Sequence, residues 1–155
     1  MGSLQTRRAA LVSIHPEFAD RILSGEKKVE FRRRALGLGV TYIIIYATRP
    51  VGAVVGVAEI GIVECGSPAT LWAQFGHVGG IGRSDFFRYF EGATTGFAYA
   101  LQRVSACSPS IALGSAGLPN RPPQAFQYVE ERTLNLVLRR STMGISTGEQ
   151  YLMAV

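Results

Sequence analysis

Residues 24–34 read SGEKKVEFRRR, a stretch in which charged and apolar side chains alternate. Alternation places successive side chains on opposite faces of a β-strand, so Val29 and Phe31 share one face. The opposite face carries Lys28, Glu30, Arg32 and Arg34. Lys27 lies at the turn that follows Gly25, where a helix ends and the strand begins. The stretch therefore predicts basic donors gathered around one carboxylate, which either bind a ligand or protect an edge strand from aggregation.

The segments beside this stretch predict a strand and a helix before it and two strands after it. Residues 9–14 form an apolar run, and Pro16 begins a helix with an apolar face that Gly25 ends. After a glycine turn, residues 41–48 and 51–63 are two further strand candidates. The order is strand, helix and then three strands.

The second half of the chain predicts two short helices and two more strands. The helices begin after Ser67 and Ser84, and the strands cover Thr94–Val104 and Thr133–Leu138. Residues 108–124 between those strands are rich in Pro, Gly and Ser, which predicts a long surface loop. The resulting fold class is α+β, mainly β, as a small closed β-barrel of five to seven strands with two to three inserted helices.

Length and composition predict one domain. The chain has 155 residues, of which 47% are hydrophobic, enough for a core of its own. We expect an N-terminal extension at residues 1–8, the domain at residues 9–140 and a polar C-terminal tail at residues 141–155.

The pattern Gly25-x-Lys27-x-x-Glu30-x-Arg32 resembles the GxKxxExR signature of the ASCH (activating signal cointegrator homology) domains, which belong to the PUA-like superfamily. The resemblance extends over about residues 10–138. Its further segments are SIHPEFA at 13–19, YATRP at 46–50, AYAL at 98–101 and PPQAFQY at 122–128.

The resemblance implies a PUA-like barrel over residues 9–140, with a cleft between the barrel and the first helix. Related domains of the superfamily bind RNA or modified bases. The resemblance thus implies binding of RNA, other single-stranded nucleic acid or a nucleoside ligand. In that site lysine and arginine hold phosphate, and Glu30, Tyr46 and Thr48 shape the pocket for a base. The full set of predicted binding residues is Lys27, Lys28, Glu30, Arg32, Arg34, Tyr46, Thr48 and Arg49.

The charge distribution agrees with an anionic partner. The net charge is +5, and residues 1–49 carry the whole excess, because the remaining residues balance seven basic against seven acidic side chains. Such a one-sided excess is typical of proteins that bind nucleic acid, and it is also found on solvated basic faces.

The competing function is an enzyme, either a small nucleoside amidohydrolase or a ribonuclease, with Lys27 and Glu30 as its catalytic residues. Some small bacterial relatives of ASCH domains have these activities. In the amidohydrolase-like members, a threonine stands three positions after the lysine, and this chain has Glu30 there. A carboxylate cannot replace that hydroxyl in acyl transfer without a different mechanism.

The sequence predicts no metal site, no cofactor and no membrane segment. Cys65 and Cys107 lie far apart without a CxxC motif, which argues against a zinc site and a disulfide framework and favours a cytoplasmic protein with reduced thiols. No sequence feature names a protein partner.

Four other features leave alternatives open. Residues 79–82 can cradle a phosphate or form a hinge, and His15 can serve as a general base or cap the first helix. Aromatic residues 86–90 can stack on bases or seal the core. Arg139 and Arg140 can extend the basic surface or end the last strand in solvent.

Overall fold

The structure of this protein is a computed structural model that describes residues 7–142. The segment before the charged stretch folds as its sequence predicts. Strand β1 covers Arg8–Ile14 and is followed by helix α1, Pro16–Ser24. Proline occupies the first turn of α1, and Gly25 ends the helix with a φ of 88°, a left-handed conformation that glycine adopts without strain. Strand β2 then covers Val29–Arg32.

Three longer strands form the centre of a mixed sheet. They are β3 (Val40–Ala47), β4 (Ala53–Gly66) and β5 (Gly96–Ile111). Strand β1 pairs with β3 in parallel, whereas β3 with β4 and β4 with β5 are antiparallel. Strand β2 pairs antiparallel with β5, which brings Glu30 opposite Tyr99.

Two short helices lie between β4 and β5. Helix α2 covers Pro68–Phe75, and its N-cap Ser67 accepts a hydrogen bond of 3.2 Å from the backbone N–H of Thr70. A short 3-10 helix leads towards helix α3, Arg83–Tyr89. The α3 residues Phe86 and Phe90, the latter at the C-cap, are buried with Phe31 of β2. Most of the predicted aromatic segment thus packs in the core.

The last part of the domain differs from the prediction. Strand β5 continues to Ile111, so part of the predicted loop at 108–124 is a strand. Strand β6 covers Phe126–Val129 and pairs with β1, while β7 covers Ser141–Thr142 and pairs with β5. The predicted strand at Thr133–Leu138 is wrong, because helix α4 covers Glu131–Arg140.

Helix α4 forms because its apolar residues also repeat with helical spacing. Leu134 and Val137 lie three positions apart and are completely buried against the core that contains Leu11 and Ile44. Arg132 and Arg139 remain exposed on the opposite side. Burial of one helical face therefore outweighs the strand-like alternation of the leucines.

The predicted closed barrel is also wrong. Within residues 7–142 the strand order is β2-β5-β4-β3-β1-β6, with β7 beside β5, and no ladder joins β2 to β6. Just before β2, the N–H of Lys28 donates to the carbonyl of Val78 in the 3-10 helix at 2.8 Å, and at the end of β2 the side chain of Arg32 reaches the carbonyl of Ala125. The fold class is α+β, mainly β, and the described residues contain seven strands and four α-helices rather than two or three.

The ends of the predicted domain lie at the edge of the described structure. Of the predicted extension at 1–8, residues 1–6 lie outside the described residues, and β1 already begins at Arg8. Of the predicted tail, only residues 141–142 are described, as β7. The domain limits at 9 and 140 therefore stay predictions.

Candidate nucleic-acid interface

A cavity of about 150 Å³ opens between the end of β1, helix α1, strand β2 and helix α3. Its apolar side chains are Ile14, Phe18, Phe31, Ile81 and Phe86. Its polar side chains are Ser13, His15, Lys27, Glu30, Arg32 and Tyr89. The structure thus brings the predicted Lys27, Glu30 and Arg32 together in one cavity with an aromatic wall.

Lys27, Glu30 and Arg32 form a chain of alternating charges. The Nζ of Lys27 lies 3.7 Å from Oε1 of Glu30, and an Nη of Arg32 lies 3.9 Å from Oε2. The exposed fractions of the three side chains are 3%, 9% and 15%. Alternation alone predicts a solvent-facing charged face, but here both faces of β2 are covered, and Arg32 is the most accessible member of the chain.

Lys27 is fixed by the loop that covers it. Its Nζ donates a 2.6 Å hydrogen bond to the carbonyl of Gly79, and its backbone N–H donates to the carbonyl of Arg21 at 2.9 Å. The ammonium lies 5.5 Å from the ring centroid of Phe18 and 5.2 Å from that of Phe31. These distances permit cation–π attraction to both rings.

The pKa of the Lys27 ammonium lies below its ordinary value. Burial is the main cause, since it penalises the charged form. The carboxylate of Glu30 acts in the opposite direction, and the positive charge of Arg21 adds a smaller lowering. A lysine of this kind is better suited to proton transfer than an exposed one.

The glycine-rich segment at 79–82 packs directly on Lys27. Gly80 has a φ of +63°, and a Cβ added to it lies only 2.6 Å from the Cβ of Lys27. The carbonyl of Gly80 accepts a 2.8 Å hydrogen bond from Arg21. The carbonyls of Gly79 and Gly80 therefore accept hydrogen bonds from Lys27 and Arg21, and the first of these bonds holds the Lys27 ammonium in place.

The segment before β6 contacts two of the residues that line the cavity, Ser13 and Arg32. Ser13 donates from Oγ to the carbonyl of Pro123 at 2.6 Å and from its N–H to that of Ala125 at 3.1 Å. Arg32 also reaches the carbonyl of Ala125, at 3.5 Å. These contacts orient a hydroxyl and a guanidinium at the mouth of the cavity.

The exposed residues His15 and Tyr89 form the rim of the cavity. His15 is the N-cap residue of α1, but its side chain makes no capping hydrogen bond. The hydroxyl of Tyr89 accepts a hydrogen bond of 3.2 Å from the backbone N–H of Arg33. Burial raises the pKa of Tyr89, and the nearby Arg32 opposes this shift.

The other predicted binding residues lie outside the cavity lining. Lys28, Arg34 and Arg49 are exposed. Tyr46 is 5% exposed and belongs to the core cluster on the other side of the sheet. Thr48 lies next to the cavity wall, since its N–H donates to the carbonyl of Ile14 at 2.9 Å.

Ser13 and Phe18 line the cavity although sequence reasoning did not name them as site residues, whereas Ile81 belongs to the segment 79–82 that it did name. Phe18 had a usable signal, because it faces the core side of a helix that leads into the charged stretch. Ser13 had none, since its position depends on a contact with Pro123, which is distant in sequence.

Neither a membrane-spanning helix nor a cluster of potential metal ligands is found in the described part of the chain. None of its helices is long and apolar enough to cross a membrane. No group of three or more His, Cys, Asp or Glu side chains in residues 7–142 could hold a metal ion. Both cysteines are free thiols.

Several solved structures share this fold. The crystal structure of ASCH from Zymomonas mobilis matches with a TM-score of 0.76 at 31% identity, covering 87% of this chain and 96% of that one. A serine-to-alanine mutant of the same protein matches with a TM-score of 0.78 at 32% identity, covering 90% and 100%. The N-terminal domain of Staphylothermus marinus McrB has a TM-score of 0.52 at 12% identity, over 90% of this chain and 98% of that one, a likeness of fold alone.

Sequence comparison leads to the same family. An ASCH domain-containing ribonuclease from Zymomonas mobilis is 36% identical over 141 residues, which cover 88% of this chain and 95% of that protein. Residues 12–101 match the ASCH domain model. This matched range runs from the last residues of β1 through α1 and the charged stretch to the first residues of β5. The chain belongs to the ASCH domain family.

Proposed function

We propose that this ASCH chain binds single-stranded RNA and takes part of one nucleotide into the cavity beside α1 and β2. The observation that carries this proposal is the buried chain of Lys27, Glu30 and Arg32 beneath an aromatic wall. Its closest chemical counterpart is a base, which has a flat apolar face and a polar edge. The name of the Zymomonas mobilis relative, a ribonuclease, supports RNA as the polymer.

The size of the cavity limits what can enter it. At about 150 Å³ it is smaller than the roughly 300–1,000 Å³ of sites that enclose a drug-sized ligand. A single base or its edge is therefore the part of RNA that we place inside. Phe18 and the partly exposed Tyr89 offer aromatic surface for the base, and the carboxylate of Glu30 can accept from an exocyclic amine.

Phosphate contacts are assigned to Arg32. Its side chain is 15% exposed, and its guanidinium lies between Glu30 and the carbonyl of Ala125. That arrangement holds the guanidinium at the mouth of the cavity, where it can donate to a phosphate oxygen. The exposed Lys28, Arg34 and Arg49 contribute long-range attraction for the RNA backbone.

RNA cleavage is a second candidate, which the name of the relative favours. Cleavage without a metal requires a base that removes the proton from the 2′-hydroxyl and an acid that protonates the departing 5′-oxygen. The cavity offers His15 at its rim and Lys27 with a lowered pKa at its floor. The 2′-oxygen then attacks phosphorus, the bond to the 5′-oxygen breaks, and a 2′,3′-cyclic phosphate forms.

Two measurements separate binding from catalysis. The protein is first crosslinked by light to RNA that contains 4-thiouridine, and mass spectrometry locates the attached peptides. We expect crosslinks at Phe18 or Tyr89, and crosslinks only outside the cavity lining would contradict the proposed binding site.

The second measurement looks for turnover. The protein is incubated with the same RNA and, separately, with N4-acetylcytidine, with Lys27→Met as the matched variant. Cyclic-phosphate products that disappear in the variant identify a ribonuclease. Cytidine formed from the acylated nucleoside identifies an amidohydrolase and contradicts RNA as the substrate. Intact ligands together with cavity crosslinks identify an RNA-binding module.

A further inference from the structure

Helix α4 carries three arginines that the cavity does not use. Arg132, Arg139 and Arg140 are exposed, and none of them has an ion-pair partner within residues 7–142. The acidic group within the helix is already paired, because Arg7 lies 3.3 Å from a carboxylate oxygen of Glu131. Glu130, the N-cap residue, is exposed and lines the first groove, but three arginines against this one carboxylate still leave the α4 surface with an excess of positive charge.

Three shallow grooves join along this helix. The first lies between β6 and the start of α4, the second follows α4 itself, and the third lies between the end of α4 and the end of β5. Their volumes are about 430, 390 and 480 Å³. Arg132 borders the first and second grooves, and Arg139 borders the second and third. The three grooves are therefore neighbours that share these arginines, and together they are here called the α4 groove.

The α4 groove lies on the opposite face of the sheet from the cavity, and the edge strand β6 separates the two. Residues 123–125 contact Ser13 and Arg32 of the cavity, and the chain continues from them directly into β6 and α4. Tyr128 of β6 borders the first groove with 40% of its surface exposed. The guanidinium of Arg8 lies 4.0 Å from the centroid of its ring, which fixes the aromatic plane. A single strand that leaves the cavity past residues 123–125 must therefore pass around the sheet edge at β6, beside Tyr128, to reach the arginines.

We propose that the α4 groove holds the sugar-phosphate backbone of the same single strand whose base enters the cavity. This inference rests on the proposed RNA binding and makes the substrate an oligonucleotide rather than a free nucleoside. Guanidinium groups donate two hydrogen bonds to a phosphate in a fixed geometry. The ten residues of α4 extend about 15 Å, long enough to follow several nucleotides.

The test compares two double variants that lose the same charge. Arg132→Gln with Arg139→Gln alters the α4 groove, whereas Arg88→Gln with Arg103→Gln removes two exposed arginines from other parts of the surface. Each protein is titrated with a fluorescent trinucleotide and with a 12-nucleotide single-stranded RNA at several salt concentrations. Thermal unfolding of each variant is measured alongside.

We expect the α4 variant to bind the 12-nucleotide RNA at least tenfold more weakly and the trinucleotide with unchanged affinity. For the α4 variant, the slope of log K against the logarithm of the salt concentration should become less negative by about 1.4. Each lost phosphate contact on a single strand accounts for about 0.7 of this slope. The control variant is expected to stay close to the wild type for both RNAs.

Four results overturn the inference in distinguishable ways. Equal losses in both double variants show that only net charge matters. A lower melting temperature of the α4 variant with unchanged RNA affinity shows that the arginines serve the C-terminal end of the helix. If the wild type binds neither RNA, the proposed function itself is contradicted. If the wild type binds the trinucleotide and the α4 variant binds both RNAs as the wild type does, only the role of the α4 groove is contradicted.

Discussion

The Nζ of Lys27 lies 3.7 Å from Oε1 of Glu30, and the two side chains are only 3% and 9% exposed. An ion pair so far from water needs close geometry and further hydrogen bonds to offset its desolvation. Here the carbonyl of Gly79 and the guanidinium of Arg32 supply those additional contacts. The pair is thus a fixed polar floor in a cavity whose walls are aromatic.

Lys27 and Glu30 are expected to be energetically coupled. A double-mutant cycle with Lys27→Met and Glu30→Gln, followed by urea unfolding, should give a coupling energy of about 0.5–3 kcal/mol. Each single change leaves a buried polar group without its partner, and the double change removes both. Additive effects of the two substitutions would show that the pair does not contribute to the free energy of unfolding.

A side chain at position 80 is expected to lower the stability of the protein more than one at position 39. Gly80→Ala places a Cβ 2.6 Å from the Cβ of Lys27 at a φ of +63°, whereas Gly39→Ala has a similar φ of +80° and open space around it. Gly39→Ala should lower the free energy of unfolding by about 1–2 kcal/mol through backbone strain alone. Gly80→Ala should cost a further 1–3 kcal/mol from overpacking, measured by urea unfolding. Equal costs would mean that the loop does not press on Lys27.

Cys107 should make the protein less stable at alkaline pH. Burial raises the pKa of the Cys107 thiol from 9.0 to about 11. Between those values the unfolded chain has lost the thiol proton and the folded chain still binds it. The free energy of unfolding therefore falls as pH rises from 9 to 11.

Measurement of unfolding at several pH values tests this prediction. The slope between pH 9 and 11 should be shallower in Cys107→Ala than in the wild type. The exposed Cys65 offers the matched control, since Cys65→Ala should keep the slope. A wild-type slope that survives in Cys107→Ala would assign the effect to other groups, such as Tyr89 and Tyr99, whose pKa values burial also raises.

The local part of the candidate site is predictable from sequence, because strand alternation and one turn place its residues. Glu30 and Arg32 are two positions apart on one face of β2, and Lys27 follows the helix end at Gly25. These three residues meet in the structure as the alternation predicts. Their burial is not predictable in the same way, since it depends on Gly79 and Ala125, which are distant in sequence.

Two of the errors in the predicted fold, the strand at Thr133–Leu138 and the closed barrel, have a common physical origin in long-range packing. The segment Thr133–Leu138 alternates like a strand, but burial of Leu134 and Val137 against the core makes it a helix. The sheet stays open between β2 and β6, where the described residues show the side chain of Arg32 reaching the carbonyl of Ala125 and no strand pairing. Periodicity within one segment contains neither of these contacts.

The central claim is that RNA enters the cavity through a contact with Arg32, and a matched pair of variants tests it most directly. Arg32→Gln and Arg34→Gln remove the same charge two residues apart, but only Arg32 lines the cavity. Each variant and the wild type are titrated with a short fluorescent single-stranded RNA by anisotropy at a fixed salt concentration. Loss of a hydrogen bond to a charged group costs about 1.5–3 kcal/mol, so Arg32→Gln should bind about tenfold more weakly or worse. Arg34→Gln should stay within about twofold of the wild type, and equal affinities for the two variants would contradict the assignment of the cavity as the RNA site.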